Sequence, residues 1–142
     1  MQTFVPVWDI VEISHILDPD RLFNQAKEVM QIHDSLTGIS RGWTRHPARQ
    51  MWRGHEPALI FYGFTMLKEA MKQGVMCQGS YPWFYDEWEK VSHDILLPSW
   101  WGDERISSSH RSNLLRKNPE WYSKFGWPEG PDLEYFWPGR EK

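Results

Sequence analysis

Apolar residues recur at helical spacing after a short acidic cluster near the N-terminus. The repeating positions are Leu22, Ala26, Val29 and Met30. Such spacing places side chains on one side of a helix with 3.6 residues per turn. The preceding Asp18-Pro19-Asp20 is a typical helix start, and Thr37-Gly38 is a typical helix end. The pattern therefore predicts a helix over residues 20–36.

A second long helical pattern begins at Pro47, reaches Lys72 and ends at Gly74. Gly54 and Pro57 lie inside it and predict a kink or a break there, because proline removes a helical hydrogen bond. Beyond that point the pattern is apolar around its inner side. The apolar positions are Leu59, Ile60, Phe61, Phe64, Leu67, Ala70 and Met71. We interpret this part as the central core helix.

Two shorter helices are predicted over residues 83–94 and 103–117, and residues 1–19 leave room for another short one. From Asn118 onward the sequence predicts an aromatic coil, and strand patterns are weak throughout. The predicted fold class is therefore all-α, with about four helices and an aromatic-rich C-terminal coil. A length of 142 residues fits a single compact domain, spanning residues 1–142.

Aromatic residues are unusually frequent, with 10 Trp, 7 Phe and 5 Tyr. A domain of this size cannot bury so many large rings fully, so several are expected to be partly exposed. Partly exposed rings serve stacking or protein contact. A core whose rings are half covered by loops explains the composition equally well.

The compartment is predicted from what the sequence lacks. Cys77 is the one cysteine, so no intrachain disulfide is expected, and zinc spacing of Cys and His is absent. The first residues show no signal-peptide pattern, and no apolar run approaches the roughly 20 residues that cross a bilayer. We therefore expect a cytoplasmic protein that makes no membrane contact.

Charge is segregated along the chain, although the net charge of −3 argues weakly against nucleic-acid binding. The first basic stretch contains Arg41, Arg45, His46, Arg49, Arg53 and His55. A second basic stretch contains Arg105, His110, Arg111, Arg116 and Lys117. A basic stripe on an acidic molecule still binds a polyanion locally.

The arginine series of the first stretch is the strongest single signal. Its members are spaced by four, and Arg49 and Arg53 are predicted to share a helix face. Trp43 and Trp52 are interleaved with them, and arginine with stacking rings is a typical means of gripping a nucleic-acid backbone. The alternative is a solvated helix face that happens to use arginine. No acidic residue lies between Arg41 and His55 to pair with these arginines, which favours an anion site.

A second constellation lies near the start of the first long helix. It contains His15, Arg21 and Gln25, and Arg21, Gln25 and Glu28 share one helix face at spacings of four and three. A lone histidine is more often structural than functional, so this group is weak by itself.

Taken together, the motifs resemble the phage-type pyrimidine dimer DNA glycosylase (endonuclease V) family. His15 and Arg21 have that family's spacing from the first residue. The further matching runs are His46-Pro47, Gly54-His55, Phe61-Tyr62 and Pro119-Glu120-Trp121-Tyr122-Ser123-Lys124-Phe125-Gly126. The similarity spans roughly residues 1–126. It implies a small all-α protein whose terminal α-amine attacks the anomeric carbon of a deoxyribose.

The resemblance also implies roles for particular residues. Met1 supplies the amine and Arg21 is the matching catalytic-site arginine, while Leu22 stands where the family has its catalytic glutamate. Asp20 is the nearest carboxylate and is our first choice to replace it; Glu28 and Glu56 are the other neighbouring acids. The DNA-binding residues are expected to be Gln2, His15, Gln25, Arg41, Trp43, Arg45, Arg49, Arg53, Arg111, Lys117 and Lys124.

The expected function is a DNA repair glycosylase with coupled abasic-site cleavage, acting on pyrimidine dimers or another damaged base. Its partner is double-stranded DNA, it needs no metal or organic cofactor, and it acts as a monomer. Leu22 supports an alternative, a non-catalytic DNA-binding module on the same scaffold. A third interpretation is an aromatic-rich protein-interaction domain. Residues 127–142 are expected to be a clasp that packs Trp127 and Trp137 against the core.

Overall fold

This computed structural model describes residues 2–75 and 78–138, and this part of the chain contains seven α-helices. They are α1 (Ile10–Ile16), α2 (Pro19–Leu36), α3 (Pro47–Trp52), α4 (Glu56–Lys72), α5 (Tyr81–Lys90), α6 (Glu104–Lys117) and α7 (Pro119–Tyr122). Short 3₁₀ turns span Gln78–Ser80 and Ser123–Phe125. The described residues contain no strand, so the predicted all-α class is confirmed, with more helices than the four expected.

The first predicted helix is α2, and its ends follow the expected signals. Pro19 lies in the first turn, where its missing N–H costs nothing, and Asp20 adds a negative charge at the positive end of the helix dipole. The helix ends before Thr37, and Gly38 then adopts a φ of +83°. Leu22, Ala26 and Val29 face the core, as their spacing predicts.

The second predicted helix is divided into α3 and α4, as Gly54 and Pro57 indicated. Gly54 has a φ of +82°, a backbone conformation that other residues rarely adopt, and it turns the chain between the two helices. Helix α4 is the centre of the fold and packs against α1, α2 and α5. Gly63 of α4 leaves room for side chains of α2 and α5, because an added Cβ would lie 2.6 Å from Val29 and 2.7 Å from Phe84.

Two later boundaries differ from the prediction. Helix α5 ends at Lys90, before residue 94, because Val91 is extended and the His93 ring stacks back on Trp88. The region after Asn118 is not entirely coil either: Asn118 caps the short helix α7 by accepting a hydrogen bond from the Trp121 N–H. Helix α6 matches the predicted range of 103–117 closely.

The N-terminal segment, residues 2–6, has no regular secondary structure and is buried. Side chains from four helices bind its backbone and its hydroxyl. Trp52 of α3 donates to the Thr3 hydroxyl, and Arg111 of α6 donates to the carbonyl of Pro6. These contacts therefore fix the path of the segment from Gln2 to Pro6. Among the described helices, none combines the length and apolar character needed to cross a lipid bilayer.

Candidate active site

A polar pocket of about 290 Å³ lies at the start of the N-terminal segment. It is bounded by that segment, by α2, by the end of α6 and by the C-terminal segment. The lining residues are Gln2, Phe4, Arg21, Asn24, Gln25, Glu28, Lys117 and Tyr135. Its volume is just below the roughly 300–1,000 Å³ typical of small-molecule sites, which suits one sugar or one planar base.

Gln25 fixes the N-terminal segment against the pocket. Its side-chain oxygen accepts hydrogen bonds from the Phe4 N–H at 2.8 Å and from the Tyr62 hydroxyl at 2.7 Å. Its amide nitrogen donates to the Gln2 carbonyl at 3.1 Å. The side chain is almost completely buried. Gln25 was expected to contact DNA; in the structure it holds the backbone of Gln2 and Phe4 in place.

His110 of α6 holds the same segment from the other side. Its Nδ1 accepts a hydrogen bond from the Val5 N–H at 2.9 Å, so the ring is neutral in this contact. Burial lowers the pKa of His110 to about 3. His110 thus binds the Val5 N–H as a neutral ring at ordinary pH.

Arg21 provides one positive charge of the pocket. Its guanidinium lies 3.2 Å from the Asp18 carboxylate, which also accepts a hydrogen bond from the buried Tyr122 hydroxyl. Burial, followed by the hydrogen bond with Asp18, raises the pKa of Tyr122 well above its usual value, so this hydroxyl stays protonated. The Asp18 carboxylate orients Arg21, whose side chain remains 22% exposed. Lys117 supplies a second cation from the last turn of α6.

Glu28 is the carboxylate that lines the pocket. Its Oε2 is buried and has no hydrogen-bond partner among the described residues. Burial raises the pKa of Glu28, and the positive charge of the chain terminus lowers it in part. A partly desolvated carboxyl with a free oxygen is well suited to exchange protons with a bound substrate.

The other acid candidates lie elsewhere. Leu22, at the family's glutamate position, is fully buried in the hydrophobic core. Asp20, our first choice from the sequence, is exposed and does not line the pocket. Glu56 is in the first turn of α4, also outside the pocket lining. The polar face of α2 that contains Arg21, Gln25 and Glu28 was predicted, but Glu28 was passed over for the acid nearer in sequence.

Two further candidate site residues, His15 and Met1, are not among the described residues that line the pocket. His15 is 57% exposed and lies 3.7 Å from Glu69, away from the pocket lining. Met1, the expected source of the nucleophile, lies outside the described residues. Gln2, its covalent neighbour, lines the pocket and has a buried amide nitrogen with no partner among the described residues.

The arginine series lies outside the pocket lining. Arg41, Arg45 and Arg53 are exposed, whereas Arg49 donates to the Ser35 hydroxyl and the Thr44 carbonyl. Helix α3 ends at Trp52, so Arg53 lies just beyond it and lines a separate surface depression with Trp100. The predicted shared helix face of Arg49 and Arg53 does not form a common site.

The two interleaved tryptophans differ. Trp52 is fully buried and is not available for stacking on a ligand. Trp43 is 49% exposed on the basic loop, in edge contact with His46. Trp43 has a φ of +63°, the one non-glycine residue in the described part of the chain with a left-handed backbone. Such a conformation is uncommon for a bulky side chain and is often found at functional positions.

Arg111 and Lys124 were also expected to contact DNA. Arg111 is 14% exposed and forms a two-bond ion pair with Glu129, at 2.9 and 2.6 Å. It links α6, the N-terminal segment and the C-terminal segment, so we leave it out of the proposed DNA surface. Lys124 is exposed and lies over the Trp121 ring at 3.5 Å.

Tyr135 lines the pocket, although no sequence pattern predicted it there. It lies in the segment that was predicted as coil, and its position depends on contacts with α6 that are remote in sequence. Burial raises the pKa of Tyr135, and the charges of Arg116 and Arg21 act in the opposite direction. In the described ranges, no group of three or more His, Cys, Asp or Glu side chains is arranged to hold a metal ion.

These features define a small helical protein with a polar pocket at its N-terminal segment, where two cations and a protonatable carboxyl meet. The family model described as pyrimidine dimer DNA glycosylase matches residues 1–80, and the chain belongs to this family of DNA repair glycosylases. The resemblance inferred from the sequence is thereby confirmed. Comparison with curated proteins gave no match, and comparison with solved structures gave none either.

Proposed function

We propose that this protein removes a damaged base from double-stranded DNA and then cuts the resulting abasic strand. The observation that carries the proposal is the pocket itself, which brings Gln2, the cations Arg21 and Lys117 and the carboxyl of Glu28 around one space. Family membership supports excision from DNA. The lesion expected is a pyrimidine dimer, and the location expected is the cytoplasm, where DNA is accessible.

The proposed nucleophile is the α-amine of Met1, which is bonded to the pocket residue Gln2. An α-amine has a pKa near 8 and is partly neutral at pH 7. Its lone pair attacks the anomeric carbon, the bond to the base breaks, and the base leaves with the bonding electrons and takes up a proton. Loss of the amine proton and opening of the sugar ring give an imine. Removal of a 2′ proton then expels the 3′ phosphate and cuts the strand.

Glu28 is the group proposed to move these protons. Its buried, unpartnered oxygen points to a proton exchanged with substrate rather than with a fixed protein partner. Because the pKa is raised by burial, the carboxyl is a better proton donor near neutral pH than an exposed glutamate. Glu28 thus takes the role for which Asp20 was first considered, and Arg21 and Lys117 hold the phosphates beside the sugar.

The test is strand cutting on duplexes with and without one thymine dimer. The native protein is expected to cut the dimer duplex and leave the undamaged duplex intact. Acetylation of the terminal amine should abolish cutting and preserve binding, because the acetylated nitrogen is not nucleophilic. Full cutting after acetylation would move the nucleophile to another amine, and Lys117 is the cation to examine.

A second candidate function is a DNA-binding module without chemistry, favoured by the buried Leu22 at the family's glutamate position. It predicts salt-sensitive binding of dimer DNA with no cutting at any pH. A single copy of the chain supplies all the described pocket residues, so we propose that the monomer is the active form in either case.

A further inference from the structure

The C-terminal segment is attached to α6 by a series of polar contacts. Glu129 pairs with Arg111, as described above. The Gly130 carbonyl accepts from the Ser112 hydroxyl, the Leu133 carbonyl accepts from the Asn113 amide at 3.1 Å, and the Phe136 N–H donates to the Ser109 hydroxyl at 3.1 Å. Arg105 lies over the Phe136 ring at 4.3 Å. These contacts fix the path of residues 129–136, and Tyr135 of this segment lines the pocket.

This path brings Tyr135 to the pocket wall and continues into a row of rings. Tyr135 lies 6.3 Å from Phe4 and 5.6 Å from Trp137, measured between ring centroids. The Trp137 ring meets His46 edge-on at 6.0 Å, and His46 meets Trp43 at 5.6 Å. The row therefore connects the pocket to the basic loop that contains Arg41 and Arg45.

The rings at the pocket end remain accessible. Tyr135, which lines the pocket, and Trp137, its neighbour in the row of rings, are both half-buried. Arg21 and Lys117 line the same pocket. A half-exposed ring beside two cations has the chemistry to stack on a nucleobase while its phosphates are neutralised.

We propose that Tyr135 and Trp137 form a stacking wall for a nucleobase that has been turned out of the duplex into the pocket. The wall comes from a segment outside the matched residues 1–80, so base selection is assigned to the C-terminal part of this chain. The inference rests on the proposed function, because it gives that pocket its base-contacting surface. Turning a base out costs least where pairing is already damaged, and stacking on the wall offsets part of that cost.

The experiment compares Tyr135→Leu, Tyr135→Phe and Tyr85→Leu. Leucine keeps much of the apolar packing of Tyr135 and loses the flat ring; phenylalanine keeps the ring. Tyr85 is a matched control, because it is 48% exposed on α5 and does not line the pocket. Thermal unfolding of each variant establishes that the fold is retained.

The first probe is a duplex with 2-aminopurine at a mismatched position, which reports stacking without any chemistry. Native protein and Tyr135→Phe are expected to quench its fluorescence, and Tyr135→Leu to leave it bright with binding about 10-fold weaker. Equal quenching by Tyr135→Leu would overturn the proposal. If Tyr135→Leu does not fold, Trp137→Leu is tested with the same 2-aminopurine duplex. Quenching equal to that of the native protein would again overturn the proposal.

The second probe is a duplex with an abasic site, which has no base to stack. Tyr135→Leu should lose about 10-fold in excision from dimer DNA and a clearly smaller factor in cutting of the abasic duplex. Equal losses on both duplexes would contradict a stacking role. If the native protein cuts neither duplex, the proposed function fails, whereas the 2-aminopurine result still decides the stacking wall.

Discussion

Glu28 combines a buried oxygen that has no partner with a pKa raised by burial. A group whose pKa is raised on folding favours the protonated form of the folded state, so its contribution to stability is present at low pH and is lost as pH rises through the raised value. Glu28 therefore lowers stability near neutral pH, where the proposed proton transfer uses both its ionised and its protonated form.

Glu28→Gln is accordingly expected to raise Tm at pH 7, by roughly 2 °C, because the neutral amide avoids burying a charge. The difference should vanish below about pH 4, where glutamic acid is protonated in both folded and unfolded chains. Excision should fall by about 100-fold or more, as for loss of a proton-transfer group. Thermal melts across pH and single-turnover assays measure both effects.

Asp20→Asn is the matched control, since Asp20 is an exposed carboxylate on the same helix. It should leave excision close to native. A large loss for Asp20→Asn together with full activity for Glu28→Gln would return the proton-transfer role to Asp20.

Arg111 shows how a basic residue in a basic stretch serves structure. Its removal leaves the Glu129 carboxylate, whose side chain is 10% exposed, without its main partner. Arg111→Ala should therefore destabilise the protein by about 2–4 kcal/mol, measured by urea unfolding. The pKa of Glu129 is lowered by the Arg111 hydrogen bond, so this stabilisation is present above the ordinary glutamate pKa and is lost as pH falls.

The same variant separates stability from binding. At a temperature where the Arg111→Ala variant is folded, the protein should make the same contacts with DNA phosphates as the native protein. The salt dependence of DNA binding should therefore be unchanged. A flatter salt dependence would show that Arg111 reaches phosphate after all.

At the scale of elements, the packing of α2, α4 and α5 depends on the small size of Gly63. A methyl group there would overlap side chains of both neighbouring helices, at 2.6 Å from Val29 and 2.7 Å from Phe84. Gly63→Ala should cost about 1–3 kcal/mol in the free energy of unfolding, although alanine is the better helix former. Gly79→Ala is the control, because nothing lies within 4 Å of its added Cβ; a loss no greater than that of Gly79→Ala would contradict the close packing.

Helix α2 also shows what sequence could establish about the site. Its apolar stripe and the shared face of Arg21 and Glu28 follow from helical spacing alone, because seven residues make about two turns. Asp20 is two residues from Leu22 and so lies on a different side of the helix. The structure places Glu28 in the pocket lining and Asp20 outside it, which agrees with helical geometry rather than with proximity in sequence.

Helix α6 shows what sequence could not establish. Its buried polar residues bind backbone groups of the N-terminal and C-terminal segments, and the partners are 18 to 105 positions away. The positions of serine, histidine and asparagine in the sequence do not indicate which backbone groups these side chains will bind. The surface of α6 that binds the C-terminal segment could therefore not be predicted from the sequence. The same holds for the position of Tyr135.

On the scale of the whole molecule, the net charge of −3 conceals a local basic surface. Arg41 and Arg45 are exposed on the loop beside Trp43, at the far end of the row of rings from the pocket. A duplex that enters the pocket is expected to place its phosphates against this loop.

The double variant Arg41→Gln/Arg45→Gln should weaken binding to all DNA sequences. It should also reduce the slope of log affinity against log salt by about 2, since each phosphate contact contributes roughly 0.9. Lys90→Gln is the control, because Lys90 pairs with Glu87 on the acidic helix α5. An unchanged slope for the double variant would exclude the loop from the DNA interface.

The central claim is that the terminal amine performs its chemistry in the pocket beside Glu28. The most direct measurement is reduction with borohydride during reaction with abasic duplex DNA, followed by mass spectrometry of the digested adduct. The account predicts one covalent adduct, on the N-terminal peptide and at the α-amine. An adduct on Lys117, or firm binding with no adduct at all, would contradict it.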